Sequence, residues 1–245
     1  PRKGKGYFPG RREIISGAVL GTFISWISTR KGIFKGDYQR SIMPLSLIRP
    51  PGSIPEEDFE IRCIRCGLCM VICPSNIIQP MGFQNGLFSL FSPVLVPRIG
   101  PCYPDCNLCG QHCPTGAIRG LSVEEKQWAK VGTAVILTEL CIAYEWGRSC
   151  LVCDEACPYD AIEMIKEGGR EVAVPKITES RCNGCGACEG ACPVIPEKAI
   201  RVTAMGELRL IKGSFVLEGK RLGLDLGVKS KGHLHREGLP PGFSD

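Results

Sequence analysis

The chain has 245 residues, of which 22% are charged, 16 are cysteines and 30 are glycines, and its formal net charge is +5. This length suits one or two ordinary domains. The positive charge lies in residues 1–50, which carry a net charge of +8 and leave −3 for residues 51–245. Because the net positive charge is confined to the N-terminus, and basic residues are not interleaved with aromatic residues in the cysteine-rich part, we exclude a nucleic-acid-binding domain and expect no nucleic-acid partner.

The N-terminal segment has the pattern of an export signal. Arg11 and Arg12 precede sixteen uncharged residues, Ile14–Thr29, and Arg30 follows them. A twin arginine of this kind directs the export of proteins that are already folded around their cofactors. No A-x-A cleavage site follows, so we expect residues 14–29 to remain as a membrane-anchor helix, held also by a partner subunit. The alternative is an amphipathic helix buried in a soluble complex. We therefore assign residues 1–50 to a leader and anchor, and we expect the protein at the periplasmic face of the inner membrane.

The first cysteine motif begins at Cys63 and has the spacing C-x2-C-x2-C-x3-C-P, ending at Cys73 and Pro74. This is the ligand run of a bacterial-type ferredoxin, in which one compact loop supplies three thiolates to a cubane cluster and the fourth cysteine leads to a second cluster. Proline suits the position after that cysteine because the first turn of a helix does not use its N–H.

The motif repeats, so that the chain holds four cysteine quartets, each ending in Cys-Pro, and no cysteine is left over. The predicted cluster ligands are Cys63, Cys66, Cys69 and Cys73 in the first quartet, Cys102, Cys106, Cys109 and Cys113 in the second, Cys141, Cys150, Cys153 and Cys157 in the third, and Cys182, Cys185, Cys188 and Cys192 in the fourth. We therefore predict four [4Fe-4S] clusters. Four zinc ions, which share the four-thiolate chemistry, and a disulfide framework are the alternatives.

Two quartets depart from the ferredoxin spacing. Cys102, Cys106 and Cys109 form the C-x3-C-x2-C of radical S-adenosylmethionine enzymes, but Cys113 supplies a fourth thiolate and leaves no iron open to a substrate. In the third quartet, residues 142–149 (IAYEWGRS) separate the first cysteine from the second. They form either a loop insertion that leaves ligation unchanged or a cover and docking surface made by Tyr144 and Trp146.

Between the quartets the pattern predicts short helices and strands. A helix is expected over residues 121–131, where Ser122 and Glu125 form a capping box. Strands are expected at 132–140 and within 170–180. Four isoleucines that follow the Cys-Pro pairs are expected to pack beside the clusters; they are Ile78, Ile118, Ile162 and Ile200.

These elements indicate an α+β fold of tandem bacterial-ferredoxin-like dicluster units. We assign residues 51–204 to this four-cluster domain. Residues 205–245 contain no quartet and are rich in glycine, and we expect them to form a hairpin or an extended arm that wraps a neighbouring subunit.

The sequence resembles the NapG/MauM type of periplasmic polyferredoxin over roughly residues 10–205. The segments that carry the resemblance are 49–74, 101–118, the split third quartet and 182–193. The resemblance implies an electron-transfer subunit of a hetero-oligomeric oxidoreductase complex. Such a subunit takes electrons from a membrane quinol-oxidising subunit, or exchanges them with a multihaem cytochrome or a molybdenum or tungsten enzyme.

By similarity to four-cluster subunits of molybdenum oxidoreductases, we expect a nested grouping of the ligands. The four expected groups are Cys63/Cys66/Cys69/Cys192, Cys182/Cys185/Cys188/Cys73, Cys102/Cys106/Cys109/Cys157 and Cys141/Cys150/Cys153/Cys113. The alternative is adjacent pairing, in which the first quartet exchanges its last cysteine with the second and the third with the fourth.

A cluster held by four thiolates has no open site, so the predicted role is one-electron transfer and not catalysis. The chain has no phosphate loop, no dinucleotide fingerprint after a strand and no G-x-S-x-G motif. His112, His233 and His235 are expected to be surface residues. The remaining alternatives are a catalytic iron–sulfur enzyme and a structural subunit whose clusters carry no current.

Overall fold

The structure, a computed structural model, describes residues 47–83 and 89–228. The predicted anchor at residues 14–29 lies outside this part of the chain, as do His233 and His235. Among the described residues, no helix combines the length and the apolar character needed to cross a membrane. The described residues belong to a compact unit, Ser46–Asp245. Ile48 and Arg49 are buried in it.

The first half of this unit contains five short elements. They are α1 (Glu56–Arg62), α2 (Leu68–Val71), β1 (Ile78–Pro80), β2 (Pro93–Leu95) and α3 (Leu108–Gln111). The strands β1 and β2 pair antiparallel, with Ile78 opposite Leu95. An isolated antiparallel bridge joins Ser53 to Ile118 outside this pair.

The second half repeats this arrangement with longer strands. Its elements are α4 (Val123–Trp128), β3 (Thr133–Ile136), α5 (Ile142–Glu145), α6 (Val152–Glu155), β4 (Ile162–Ile165), β5 (Val174–Ile177), α7 (Ala187–Ala191), β6 (Ile200–Thr203) and α8 (Phe215–Arg221). The outer strands β3 and β6 pair antiparallel, and β4 and β5 form the inner antiparallel pair. One cysteine quartet follows β3 and the other follows β5. The described part of the chain therefore folds as two tandem ferredoxin-like units, each with an inner antiparallel pair; the outer contact is a strand pair in the second unit and the isolated Ser53–Ile118 bridge in the first.

The predicted helix and strands are present. Helix α4 begins at Ser122, whose hydroxyl accepts a hydrogen bond from Glu125 N at 3.2 Å. The Glu125 carboxylate, however, accepts from the Ser214 hydroxyl and from Phe215 N at 2.6 Å, at the start of α8. Glu125 therefore joins two helices that lie about 90 residues apart in the chain.

Residues 205–228, where a hairpin or an extended arm around a neighbouring subunit is predicted, include helix α8 and pack against their own unit. Phe215 and Leu226 are completely buried, and Phe215 packs with Leu121 and Ala129. A Cβ at Gly219 would lie 2.7 Å from Cε3 of Trp128, which shows how closely α8 approaches α4. The local sequence does not predict this packing, because apolar residues spaced along a glycine-rich segment become buried only against a surface that forms elsewhere in the fold. Residues 229–245 lie outside the described part.

The main hydrophobic core is built around cysteines. Seven of them are buried members of one cluster of core residues that extends through both units; they are Cys69, Cys141, Cys157, Cys182, Cys185, Cys188 and Cys192. At its N-terminal edge, Arg49 is 2% exposed, forms an ion pair with Glu56 and lies 4.4 Å over the ring of Phe59. The interior is therefore organised by the groups that we predict to bind metal.

Candidate metal centres

The sixteen cysteines line four cavities, four to each. Site A is lined by Cys63, Cys66, Cys69 and Cys113; site B by Cys73, Cys102, Cys106 and Cys109; site C by Cys157, Cys182, Cys185 and Cys188; and site D by Cys141, Cys150, Cys153 and Cys192. In each site three cysteines come from one loop and the fourth comes from the other quartet of the same unit.

The nested grouping is therefore wrong, and the adjacent pairing matches the structure. Cys192 lies at site D and not with the first quartet, and Cys113 lies at site A. The fourth thiol beside Cys102 comes from Cys73. The physical reason is strand pairing, because β3–β6 and β4–β5 enclose the third and fourth quartets in one unit. Sequence spacing alone does not specify which strands pair.

The donor set fits iron–sulfur clusters. All sixteen cysteines are free, so no disulfide joins them. Burial, and then the nearby Cys63 and Cys113, raise the pKa of the Cys69 thiol to about 11. Burial likewise raises the pKa of Cys153 to about 12, with contributions from Cys150 and then Cys141. Four buried thiolates repel one another unless a cationic centre compensates them, and metal ligation deprotonates thiols for that reason.

The side chains at these sites are not arranged to hold a single metal ion such as zinc. In residues 47–83 and 89–228, no group of three or more His, Cys, Asp or Glu side chains is arranged to hold one ion. The thiols are instead distributed around the walls of the four cavities.

Each site has an apolar wall formed by one of the predicted isoleucines. Ile118 lines site A, Ile78 site B, Ile162 site C and Ile200 site D, and none is more than 3% exposed. This confirms their predicted position beside the metal centres. A dry wall of this kind influences the reduction potential of a cluster.

Backbone N–H groups also point at ligand sulfurs. Ile118 N donates to Cys113 Sγ at 3.4 Å, and Ala134 N donates to Cys182 Sγ at 3.3 Å. N–H···S contacts of this kind stabilise the negative charge on a ligated sulfur.

The loop of site C depends on glycine. Gly184 has φ +83°, and a Cβ there would lie 2.7 Å from the backbone of Gly132.

The insertion in the third quartet leaves the thiols of its site together. Cys141 and Cys150 line the same cavity although residues 142–149 separate them. Tyr144 is half-buried, and its hydroxyl donates to the carbonyl of Pro175 at 3.2 Å. Trp146 is 61% exposed. The insertion therefore adds a helix, α5, with an exposed indole at its end, while the thiols keep their arrangement.

The four sites follow one another in the order A–B–C–D. Sites A and B are neighbours because the first and second quartets each supply cysteines to both cavities. Sites B and C meet where Cys102 N donates to the carbonyl of Cys185 at 2.8 Å. Sites C and D are neighbours because the third and fourth quartets each supply cysteines to both cavities.

Sequence reasoning missed three buried side chains beside the central sites. Tyr159 is 2% exposed, and its pKa is raised by burial and then by Cys185 and Cys102, so it lies between sites C and B. Lys126 and Lys130 are 4% and 3% exposed. The position of Tyr159 directly after Cys157-Pro158 was an available signal, whereas nothing in the sequence distinguishes the two lysines from surface residues. His112 is exposed, as predicted.

Two tandem units with paired four-thiol cavities define a ferredoxin-class iron–sulfur protein, whose function is electron transfer. Comparison with known families agrees, since models described as a 4Fe-4S dicluster domain match residues 62–118 and 148–195.

Relatives define the family more closely. The methylamine utilization ferredoxin-type protein MauM of Methylophilus methylotrophus is 38% identical over 164 residues, which cover 64% of this chain and 70% of that protein. MauM of Methylorubrum extorquens is 32% identical over 204 residues, covering 79% and 89%. The ferredoxin-type protein NapG of Escherichia coli is 34% identical over 174 residues, covering 66% and 74%. The chain belongs to this NapG/MauM family of ferredoxin-type proteins.

A solved chain of the formate dehydrogenase–heterodisulfide reductase–formylmethanofuran dehydrogenase complex from Methanospirillum hungatei is 20% identical, with a TM-score of 0.25. The match covers 66% of this chain and just over half, 55%, of that chain. A score of this size carries no argument about the fold.

Proposed function

We propose that this protein relays single electrons through four [4Fe-4S] clusters, held by all sixteen cysteines in the order A–B–C–D, and that it catalyses no reaction of its own. The observation that carries the proposal is the division of the thiols into four cavities of four, each sharing a boundary with the next. Because every cavity has four thiols, none leaves a ligand position for a substrate.

The protein's own contribution is to hold the clusters in position and to shield them from water. When bound, such a cluster accepts and releases one electron. The thiols hold the four centres at fixed positions, the isoleucines exclude water from one wall of each, and the backbone N–H groups of Ile118, Ala134 and Ala161 donate to ligand sulfurs. These contacts favour rapid exchange between neighbouring sites because little reorganisation accompanies a change of charge in a rigid, dry environment.

Sites A and D, the two ends of the series of sites, are proposed as the points where partner proteins exchange electrons with this protein. Cys66 at site A is exposed, and near site D Trp146 and Ile195 are 61% and 79% exposed. Because the chain belongs to the NapG/MauM family, we propose that it works within a hetero-oligomeric complex. A membrane quinol-oxidising subunit supplies electrons, and a multihaem cytochrome or a molybdenum or tungsten enzyme receives them. Arg11–Arg12 and residues 14–29 support a place at the periplasmic face of the membrane, with that segment as an anchor.

The test is an anaerobic reductive titration of the purified protein, with iron and acid-labile sulfide measured on the same sample. We expect about sixteen irons per chain and reduction of every cluster by a quinol system, followed by reoxidation when a cytochrome acceptor is added. Clusters that are present but exchange no electrons with either reagent would favour a structural subunit. An iron content near four per chain would contradict the four-cluster assignment itself.

A further inference from the structure

The structure buries two lysines on one short segment. Lys126 lies on α4, and Lys130 follows two residues after the helix ends. Among the residues that the structure describes, these are the buried lysines, at 4% and 3% exposure. A buried ammonium is costly to desolvate, so its position needs a compensating interaction.

Lys126 lies against site B. Its Nζ donates to the carbonyl of Tyr103, the residue after Cys102. The same ammonium is also a hydrogen-bond partner of the Cys102 side chain. One buried positive charge therefore lies against a ligand of site B and against the backbone beside that ligand.

Lys130 occupies the corresponding place at site C. Its Nζ donates to the carbonyl of Glu179 at 2.6 Å and to the carbonyl of Cys182 at 2.7 Å. The ammonium is thus held by the backbone of the very loop that supplies three thiols to site C.

We propose that Lys126 and Lys130 raise the reduction potentials of the clusters at sites B and C above those at sites A and D, so that the central pair is reduced first. Reduction adds a negative charge to a cluster, and a positive charge stabilises the reduced form most strongly where water does not screen it. This inference rests on the proposed function and adds to it an order of filling.

The charges near the other sites do not duplicate this arrangement. At site D, Lys198 donates to the carbonyl of Cys192 but is only half-buried, so solvent screens it more. At site A, Arg65 lines the cavity but is exposed to solvent, and the neighbouring Arg62 is exposed as well, so solvent screens both charges.

One buried negative charge, Glu189, follows Cys188 at site C. Its carboxylate accepts from Val202 N at 2.7 Å and lies 3.8 Å from the guanidinium of Arg98. Because these partners compensate Glu189, the net effect at site C remains that of Lys130, and we expect the larger shift at site B.

The experiment is an anaerobic redox titration monitored by electron paramagnetic resonance, on the complete cluster-loaded protein. Lys126→Met and Lys130→Met each remove a charge and keep an unbranched side chain. We expect Lys126→Met to lower one high-potential couple by at least tenfold in its reduction equilibrium, which is about 59 mV for one electron. Lys130→Met should lower a second, different couple, and the double variant both. Lys126→Arg, which keeps the charge, should stay near the wild-type potential.

Lys220→Met is the matched control, since Lys220 is exposed on α8 above the ring of Trp128 and its loss changes the net charge equally. If the buried-lysine variants shift no couple more than this control does, the inference is overturned while the proposed function stands. A wild-type protein without reducible clusters would overturn both. If Lys126→Met loses iron, Lys126→Gln replaces it because it keeps a donor for Tyr103. Iron loss in that variant too would assign the lysine a structural role and overturn the tuning role.

Discussion

At the scale of single residues, the turn after each Cys-Pro pair explains a recurring choice of amino acid. The second residue after the proline has a positive φ in three of the quartets: +53° at Asn76, +67° at Gly116 and +54° at Asp160. Its N–H donates to the carbonyl of the last cysteine of its quartet in each case. Asn, Gly and Asp tolerate this left-handed conformation better than other residues do. The turn then places an isoleucine two residues later against a cluster site.

A substitution at Asn76 tests this account. Asn76→Gly should be nearly neutral, whereas Asn76→Ile should destabilise the protein by about 1–2 kcal/mol because a β-branched side chain clashes in the left-handed region. The measurement is the midpoint of thermal loss of cluster absorbance at a fixed scan rate, where about 2–4 °C corresponds to 1 kcal/mol in a domain of this size. Asn76→Ala should fall between the two. Equal midpoints for the Gly and Ile variants would show that the positive φ is not a constraint.

At the scale of elements, helix α4 connects parts of the molecule that are distant in sequence. Its start is capped by Ser122, Lys126 extends from it to site B, and Glu125 accepts two hydrogen bonds from the start of α8. The capping-box pattern predicted the helix correctly. It assigned Glu125 the wrong partner, because the carboxylate accepts from Ser214 and Phe215 at the start of another helix and not from the start of its own.

Replacing Glu125 should release α8. Glu125→Ala removes two hydrogen bonds to a charged acceptor, and we expect a loss of about 1.5–3 kcal/mol in stability, with faster hydrogen exchange of the amides in Phe215–Arg221. Glu124→Ala is the control, because Glu124 is an exposed acidic residue on the same helix. Unchanged exchange in α8 after Glu125→Ala would mean that the packing of Phe215 alone holds this helix.

At the scale of the whole described structure, the two ferredoxin-like units share one interface, and the central sites meet there. Cys102 N donates to the carbonyl of Cys185 at 2.8 Å. The guanidinium of Arg98 lies 3.8 Å from the carboxylate of Glu189. These contacts help to fix the separation of sites B and C, which in the proposed route is the step from one unit to the other.

The grouping of the ligands can be tested by counting iron in double variants. Cys69→Ser should remove one cluster, about four irons per chain, and Cys69→Ser/Cys113→Ser should lose no more, since both residues line site A. Cys69→Ser/Cys192→Ser should lose about eight irons, because Cys192 lines site D. The nested grouping predicts the opposite pattern for the two double variants.

The identity of the ligands, helix α4, the strands around Thr133–Ile136 and Val174–Ile177 and the four isoleucines followed from the linear order of residues. Each depends on contacts within one loop or one short element, where spacing along the chain determines spacing in three dimensions. The family, too, was recognisable from these motifs.

The fourth thiol of each site, the packing of α8 and the burial of Lys126 and Lys130 depended on the tertiary fold. Each of these joins residues that are far apart in sequence, and the pairing of β3 with β6 and of β4 with β5 selects the partner from several that the spacing permits. A lysine on a short helix has the same local sequence pattern whether it faces water or a metal centre. Only the surface packed against that helix decides which environment its charge occupies.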